Sequence, residues 1–397
     1  MKEVVQSGRR AFVYMTFKLC ENSSYLGTRI KAFLAANGFE VVEDEDDADV
    51  VVLVTCGFDQ AREDKALADI ERHVARGTED RLIVVAGCLP RIQPRVEQMD
   101  GIVTISPKQM RKFDELFDAR VPIATVRGNV IDKALLRHDG RHIGVGVNAC
   151  GYPDDFHIQI SQGCVNACSY CAIKKAKGSV TSKPPEDVLE EFRDGVSRGY
   201  GRFVLLADDC GSYGLDINTD LAELLNELDA EAETSLFDIH YIEPGRLVEL
   251  HPRVARSAWR RLYFMNAPLQ STSSRILAAM NRHYDVEDVL SIVRQIKTIH
   301  PEIQLETHIL YGFPGETRRD LEDTFRLAGD FDRVIYFCYT VRPNTRAARF
   351  RRGISETEKL RRARMIIEAA RDRPHLKLGY SAQLIEGLMK DRGPRGA

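Results

Sequence analysis

Residues 156–171 read FHIQISQGCVNACSYC. The apolar stretch Phe156–Ile160 predicts a strand. Directly after it, Cys164, Cys168 and Cys171 stand in a C-x3-C-x2-C spacing. A loop at the C-terminal end of a strand is where a barrel of alternating strands and helices carries its active site. The alternation continues downstream. Helices are predicted over Pro185–Arg198, Asn218–Leu228, Ser273–Met280, Val286–Ile299 and Arg318–Gly329. Strands are predicted over Gly201–Ala207, Leu236–Tyr241, Arg261–Phe264, Gln304–Leu310 and Arg333–Tyr339. Repeated β–α units over about 200 residues imply a barrel or partial barrel.

Upstream, a second and smaller α/β pattern runs over residues 10–125. Strands are expected at Arg10–Phe17, Phe39–Val42, Val50–Thr55 and Arg81–Ala86, with helices at Ser23–Asn37 and Gln60–Arg76. The order implies a small parallel α/β domain. The expected division is 1–125 for this domain, 126–154 for a linker with one or two strands, 155–380 for the barrel and 381–397 for a basic tail.

The chain has 397 residues, 44% hydrophobic and 29% charged, so it suits more than one globular domain and is not a disordered or fibrous chain. The apolar runs are far shorter than the ~20 residues of a membrane span. The N-terminus shows no apolar leader ahead of a small-residue cleavage site. A cytoplasmic location without a membrane partner is expected. The net charge of −3 conceals an asymmetry: from Val341 onward 15 Lys+Arg face 6 Asp+Glu, which is +9 and leaves −12 for the rest. That basic end reads either as a solvated helix face or as a surface contacting phosphate or RNA.

Nine cysteines in a reducing compartment point to metal or redox chemistry rather than disulfides. Three thiolates on one short loop can hold three irons of a [4Fe–4S] cluster and leave the fourth iron open. S-adenosylmethionine (SAM) offers an amino and a carboxylate group to such an iron. One electron then breaks its S–C5′ bond and yields a 5′-deoxyadenosyl radical. A zinc site completed by His157 competes with this reading, but the spacing lacks paired C-x2-C halves.

The C-x3-C-x2-C with Tyr170 before the last cysteine is the radical-SAM signature. The surrounding segments ISQGCVNACSYCAIKKAKG (160–178), PLQSTSSRILAAMNRHY (268–284), ILYGFPGET (309–317) and FCYTVRPNTRAA (337–348) resemble the methylthiotransferase family, as do VTCGFDQARE (54–63) and VVAGCLPRI (84–92). The resemblance spans about residues 10–365. It implies a Rossmann- or flavodoxin-like N-terminal domain followed by a radical-SAM partial (β/α)6 barrel of the TIM type. It also implies two [4Fe–4S] clusters, one on Cys164, Cys168 and Cys171 and an auxiliary one on Cys20, Cys56 and Cys88. Each of the latter three follows a predicted strand, and parallel strands end on one edge, so the loops can converge. SAM contacts are implied for Tyr170, Gln270, Ser271, Thr307, Gly312 and Glu316. The Asp208–Gly211 loop is a further strand-end candidate. No catalytic residue is assigned. Cys150, Cys210 and Cys338 match no ligand position and read as packing residues.

The implied reaction is sulfur insertion, with sulfur delivered from the auxiliary cluster and electrons from a partner such as flavodoxin or ferredoxin. The sequence departs from the family pattern around the substrate side. Leu19 precedes Cys20 where a glycine is usual, and Thr307-His308 stands for a Thr-Asp pair. Lys177-Gly178 and Gln270-Ser271-Thr272 are further changes. Fewer than 30 residues follow Arg371, too few for the ~60-residue RNA-binding barrel typical of tRNA-modifying members. A small-molecule substrate, nucleoside-like or a sugar, is therefore the first expectation. The alternative is a methylthiotransferase acting on tRNA or a protein side chain, with the basic C-terminal tail contacting RNA. A noncatalytic metal-binding protein is a third reading.

Overall fold

The computed structural model describes residues 8–18, 20–77, 81–138, 141–142 and 155–379. They group into two compact units. One comprises positions up to Cys164 together with Ala172–Val180; the other comprises Val165–Cys171 and positions from Thr181 onward.

The first unit is built on a parallel sheet. Its strands are β1 (Arg10–Met15), β2 (Glu40–Val41), β3 (Val50–Thr55), β4 (Leu82–Gly87) and β5 (Ile102–Ile105), in the order β2-β1-β3-β4-β5. The register pairs Val13 with Val52 and Val52 with Val84. Every residue of β3 is buried, as expected of a central parallel strand covered on both faces. Its side chains alternate. Val50, Val52 and Val54 pack with Ile30, Phe33 and Leu34 of helix α1 (Glu21–Ala36). Val51 and Leu53 pack with Ala66, Leu67 and Ile70 of helix α2 (Gln60–Ala75). Full burial of each such aliphatic side chain stabilises the fold by ~1.5–3 kcal/mol. The unit also holds the short helix α3 (Leu89–Ile92), strand β6 (Phe156–Gln159) and helix α4 (Ile173–Lys177). β6 is tied to Asn129 by a reciprocal pair: the His157 N–H donates to the Asn129 carbonyl, and Asn129 Nδ2 donates to the His157 carbonyl, both at 2.7 Å.

The second unit runs α5 (Pro185–Ser197), β7 (Arg202–Leu206), α6 (Leu221–Glu231), β8 (Leu236–His240), α7 (Pro244–Leu250), β9 (Leu262–Asn266), α8 (Ser274–Met280), α9 (Val286–Ile299), β10 (Gln304–Tyr311), α10 (Arg318–Asp323), β11 (Arg333–Cys338), α11 (Glu356–Asp372) and β12 (Leu376–Leu378). β7 to β12 lie side by side in chain order, every pair parallel. This is the β–α succession of a partial barrel, and it brings all strand C-termini to one rim. The α/β class expected from the sequence is the class observed.

Three local readings change. The helix predicted over Arg318–Gly329 is α-helical only to Asp323 and tightens into a 3₁₀ turn over Thr324–Gly329. There the Thr324 hydroxyl donates back to the Leu321 carbonyl at 2.6 Å, a local bond that competes with the helical ladder. Strands β5 and β12 and helices α3, α4 and α7 were not predicted. Within the predicted linker, Arg137–His138 and Arg141–His142 pair antiparallel, while residues 143–154 with Cys150, and the 381–397 tail, lie outside the described residues.

Candidate functional site

Cys20, Cys56 and Cys88 follow β1, β3 and β4, three neighbouring parallel strands. Cys20 caps the N-terminus of α1, and its carbonyl accepts from the Ser24 N–H (2.9 Å) and hydroxyl (3.1 Å). The Cys88 N–H donates to the Thr55 carbonyl at 3.2 Å, which fixes Cys88 beside the end of β3. Cys20 and Cys56 come into side-chain contact, with Cys88 near Cys56; among the described residues no three His, Cys, Asp or Glu side chains are grouped closely enough to hold a metal ion as they stand. A hydrogen bond from Cys56 pulls the Cys20 thiol down to about 6. Cys56 is pushed well above the ordinary thiol range by that same bond and by burial, with the nearby Cys88 adding to the shift. Metal binding to such thiols would expel the protons they carry. Cys88 packs against Ile92 of α3 and Ala172 and Ala176 at α4.

Glycine makes the approach to two of the cysteines possible. Gly87, before Cys88, has φ +106°, and an added Cβ would stand 2.4 Å from the Thr55 carbonyl oxygen. Gly163, before Cys164, has φ +87°, and its Cβ would stand 2.2 Å from the Ser179 carbonyl oxygen. Only glycine fits either place. Cys164 is held at its backbone: its N–H donates to the Gly178 carbonyl (3.3 Å), and its own carbonyl accepts from Lys174 Nζ (2.7 Å).

The rest of the cysteine loop is clamped from three sides. At the C-terminal end of α8, Met280 and Ala279 carbonyls accept from the Ser169 N–H and hydroxyl, both at 2.8 Å. Asn281, in a left-handed cap conformation, donates to the Ala167 carbonyl at 3.0 Å. Asn166 donates to Asp209 at 3.3 Å, and Ser212 Oγ accepts from the Val165 N–H at 3.4 Å. The Asp209 carboxylate, which burial pushes above its ordinary value, also accepts from the Gly211 and Glu243 N–H groups at 3.0 and 2.9 Å. Its oxygens are engaged in positioning this loop.

Arg282 was not singled out in the sequence. It is buried, and its guanidinium donates to Cys168 Sγ at 3.6 Å and to the Pro268 carbonyl at 3.0 Å. It pairs with Glu243 at 3.3 Å and lies over the Tyr284 ring. A fixed positive charge thus stands beside the Cys168 sulfur. The signal available beforehand was an arginine inside the family-like stretch 268–284; its partner Glu243 had none.

The six residues expected at SAM fall into two groups. Tyr170 packs edge-on against Phe313 with ring centroids 6.4 Å apart. Gln270 has φ +70° and joins β10 through its backbone. Ser271 is buried and accepts from the Ser273 N–H at 3.1 Å. The hydroxyl of Thr307 is spent inside the fold, donating to the Ala267 carbonyl (2.7 Å) and accepting from the Leu269 N–H (3.1 Å). Glu316 accepts from the Gly312 N–H at 2.7 Å and pairs with Arg362 of α11, so the Gly312–Glu316 turn is closed by its own carboxylate. Burial pushes Glu316 up to about 7. Elsewhere, His157 donates through Nδ1–H to the Asp155 carbonyl (3.0 Å). Cys210 is buried, with its thiol directed at the His240 and Leu205 carbonyls.

A clamped C-x3-C-x2-C loop at the strand-end rim of a parallel partial barrel defines a radical-SAM protein, and residues 158–328 match the model of the Radical SAM superfamily. Residues 13–104 match the model described as uncharacterized protein family UPF0004. With these two domains in this order, the chain belongs to the methylthiotransferase-like radical-SAM family. It is 29% identical over 352 residues to the human threonylcarbamoyladenosine tRNA methylthiotransferase, covering 86% of this chain and 59% of that protein. It is 28% identical to the tRNA-2-methylthio-N(6)-dimethylallyladenosine synthase of Syntrophus aciditrophicus, covering 96% and 84%. It is 27% identical to the ribosomal protein uS12 methylthiotransferase RimO of Alkaliphilus oremlandii, covering 88% and 79%. The chain thus spans less than two thirds of the human relative's length. Among the described residues no helix is long and apolar enough to cross a membrane.

Proposed function

We propose that the chain is a radical-SAM methylthiotransferase acting on a modified adenosine of tRNA. The observation that supports the sulfur-transfer part is the hydrogen-bonding contact of Cys20 with Cys56, with Cys88 nearby at the end of the adjacent strand. A three-thiolate set on one sheet edge fits a [4Fe–4S] cluster with an open iron. The second set, Cys164, Cys168 and Cys171, fits the radical-SAM cluster. When bound, the two clusters and SAM supply a one-electron S–C cleavage and the sulfur and methyl groups to be transferred.

The chain's own residues do the rest. Ser169, Asn166 and Asn281 fix the loop before any cofactor arrives. Arg282 places positive charge at Cys168. Tyr170 and Phe313 offer an aromatic surface beside the loop. Flavodoxin or ferredoxin would serve as the electron donor.

The small-molecule substrate expected first from the sequence gains no support. The three relatives described above are named for tRNA or a ribosomal protein, and two of the three for tRNA. The macromolecular alternative is therefore preferred. Nucleosides from bulk tRNA, compared by mass spectrometry in cells with and without the gene, test it. A methylthio-adenosine that vanishes on deletion and returns with the wild-type gene, but not with Cys56→Ala, is the expected result. An unchanged nucleoside profile would overturn the tRNA assignment.

A further inference from the structure

Between β11 and α11 the chain reads VRPNTRAARFRRG over residues 341–353: five arginines, no Asp or Glu, a local charge of +5. Arg342 is buried, but Arg346, Arg349, Arg351 and Arg352 are exposed. None of these four has an ion-pair partner among the described residues. Their surroundings make that unusual, since in neighbouring elements Arg318, Arg361 and Arg362 all pair with Glu358. Exposed cations left without carboxylates point to an anionic partner.

The loop is ordered and anchored at the cofactor rim. The Ala347 N–H donates to the carbonyl of Ser169, the residue between Cys168 and Tyr170, at 2.8 Å. The Gly315 N–H, in the turn after β10, donates to the Arg352 carbonyl at 3.0 Å. Internal bonds, such as Thr345 Oγ1 to the Arg342 carbonyl at 2.8 Å, hold the turns between these anchors. Phe350 sits among the arginines, 36% exposed, with its ring edge-on to Phe313 at 6.0 Å. Arginines flanking an exposed aromatic, on a scaffold fixed before binding, suit a nucleic-acid strand: phosphates on the cations, a base on the ring.

Resting on the tRNA reading above, we infer that the 346–352 loop is the surface that grips the tRNA backbone beside the target nucleoside, with Phe350 stacking on a base. Phosphate contacts are sequence-independent and release counterions, so their signature is salt dependence.

The test is binding of the full-length protein to unmodified tRNA across a salt series, followed by fluorescence anisotropy. Arg349→Gln/Arg351→Gln is expected to weaken binding about tenfold near 0.1 M salt and to flatten the log–log salt slope by about 1–2. Arg349→Lys/Arg351→Lys keeps the charge and should stay within about threefold of wild type. An equal loss of charge on α5 and its C-cap, Arg193→Gln/Arg198→Gln, should leave both affinity and slope alone. Phe350→Ala should weaken binding about fivefold or more without changing the slope, as stacking carries no counterions. If the Gln pair binds as wild type with an unchanged slope while wild type still modifies tRNA, the loop assignment is wrong and the tRNA reading stands. If wild type neither binds nor modifies tRNA but modifies a ribosomal protein, both fall.

Discussion

Gly87 and Gly163 each stand one residue ahead of a cysteine, with positive φ and no room for a Cβ. Their neighbours there are backbone carbonyls of Thr55 and Ser179, which cannot swing aside as a side-chain tip would. Alanine at either place has to move the chain that carries the adjacent cysteine, at a cost of ~1–2 kcal/mol for the left-handed conformation plus the clash. The two substitutions should therefore act on different cysteine sets. Gly87→Ala is expected to lose about half of the iron that the wild-type protein takes up, through Cys88. Gly163→Ala should lose a similar share through Cys164. Iron and sulfide assays after anaerobic loading, with a melting curve for each, check this. Full iron content in both variants would mean the cysteines tolerate displacement and the glycines serve the backbone alone. Both Gly-Cys pairs are visible in the sequence. What the sequence hides is the partner carbonyl, about thirty residues away from Gly87 and sixteen from Gly163.

At the scale of elements, burial patterns were legible and side-chain destinations less so. The all-apolar run of β3 announces a strand covered on both faces, and its alternate residues do enter two cores. Val286–Ile299 was predicted to the residue because its apolar positions recur at helical spacing between Asp285, which caps it, and His300. Three-residue β12 carries too few residues for a period. The cysteine loop was found by spacing, yet its clamps come from α8, the Asp209 loop and Arg282, all remote in sequence and chemically ordinary. Glu316 shows the limit clearly. Beside the SAM contact expected of it, its carboxylate closes its own turn and anchors α11 through Arg362, partners that spacing does not reveal. That pair makes a pH prediction. Burial holds Glu316 above its ordinary 4.5, at about 7. Its contribution to stability is therefore whole below 4.5 and fades as pH rises through 7. Arg362→Ala leaves the ionised carboxylate buried without its cation, which costs ~3–5 kcal/mol. At pH 8 the variant should show that full loss. At pH 5 the carboxyl is protonated and the loss should shrink to the packing of the arginine stem, ~1 kcal/mol. Equal losses at both pH values in denaturant melts would show that the pair's charge is immaterial.

On the scale of the whole molecule, the two cysteine sets rest on largely different elements, with α4 serving both: it packs against Cys88 and holds the Cys164 carbonyl through Lys174. Cys20, Cys56 and Cys88 depend on the strand ends of the five-stranded sheet, while Cys168 and Cys171 depend on α8, Asn166 and Arg282. If the proposed division of labour holds, damage to one set should leave the other's chemistry standing. Cys56→Ala should still cleave SAM reductively to 5′-deoxyadenosine but transfer no sulfur to tRNA. Cys168→Ala should do neither, because radical generation precedes sulfur transfer. Arg282→Gln should fall between them: it keeps the loop but removes the cation at Cys168, so SAM cleavage is expected to drop by tenfold or more. Parallel assays of 5′-deoxyadenosine and methylthio-nucleoside, on anaerobically loaded full-length protein with a chemical reductant, separate the three. Loss of SAM cleavage in Cys56→Ala, with its radical-SAM cluster intact by spectroscopy, would show that the sheet-edge cysteines also govern radical formation. The two sets would then be one functional centre.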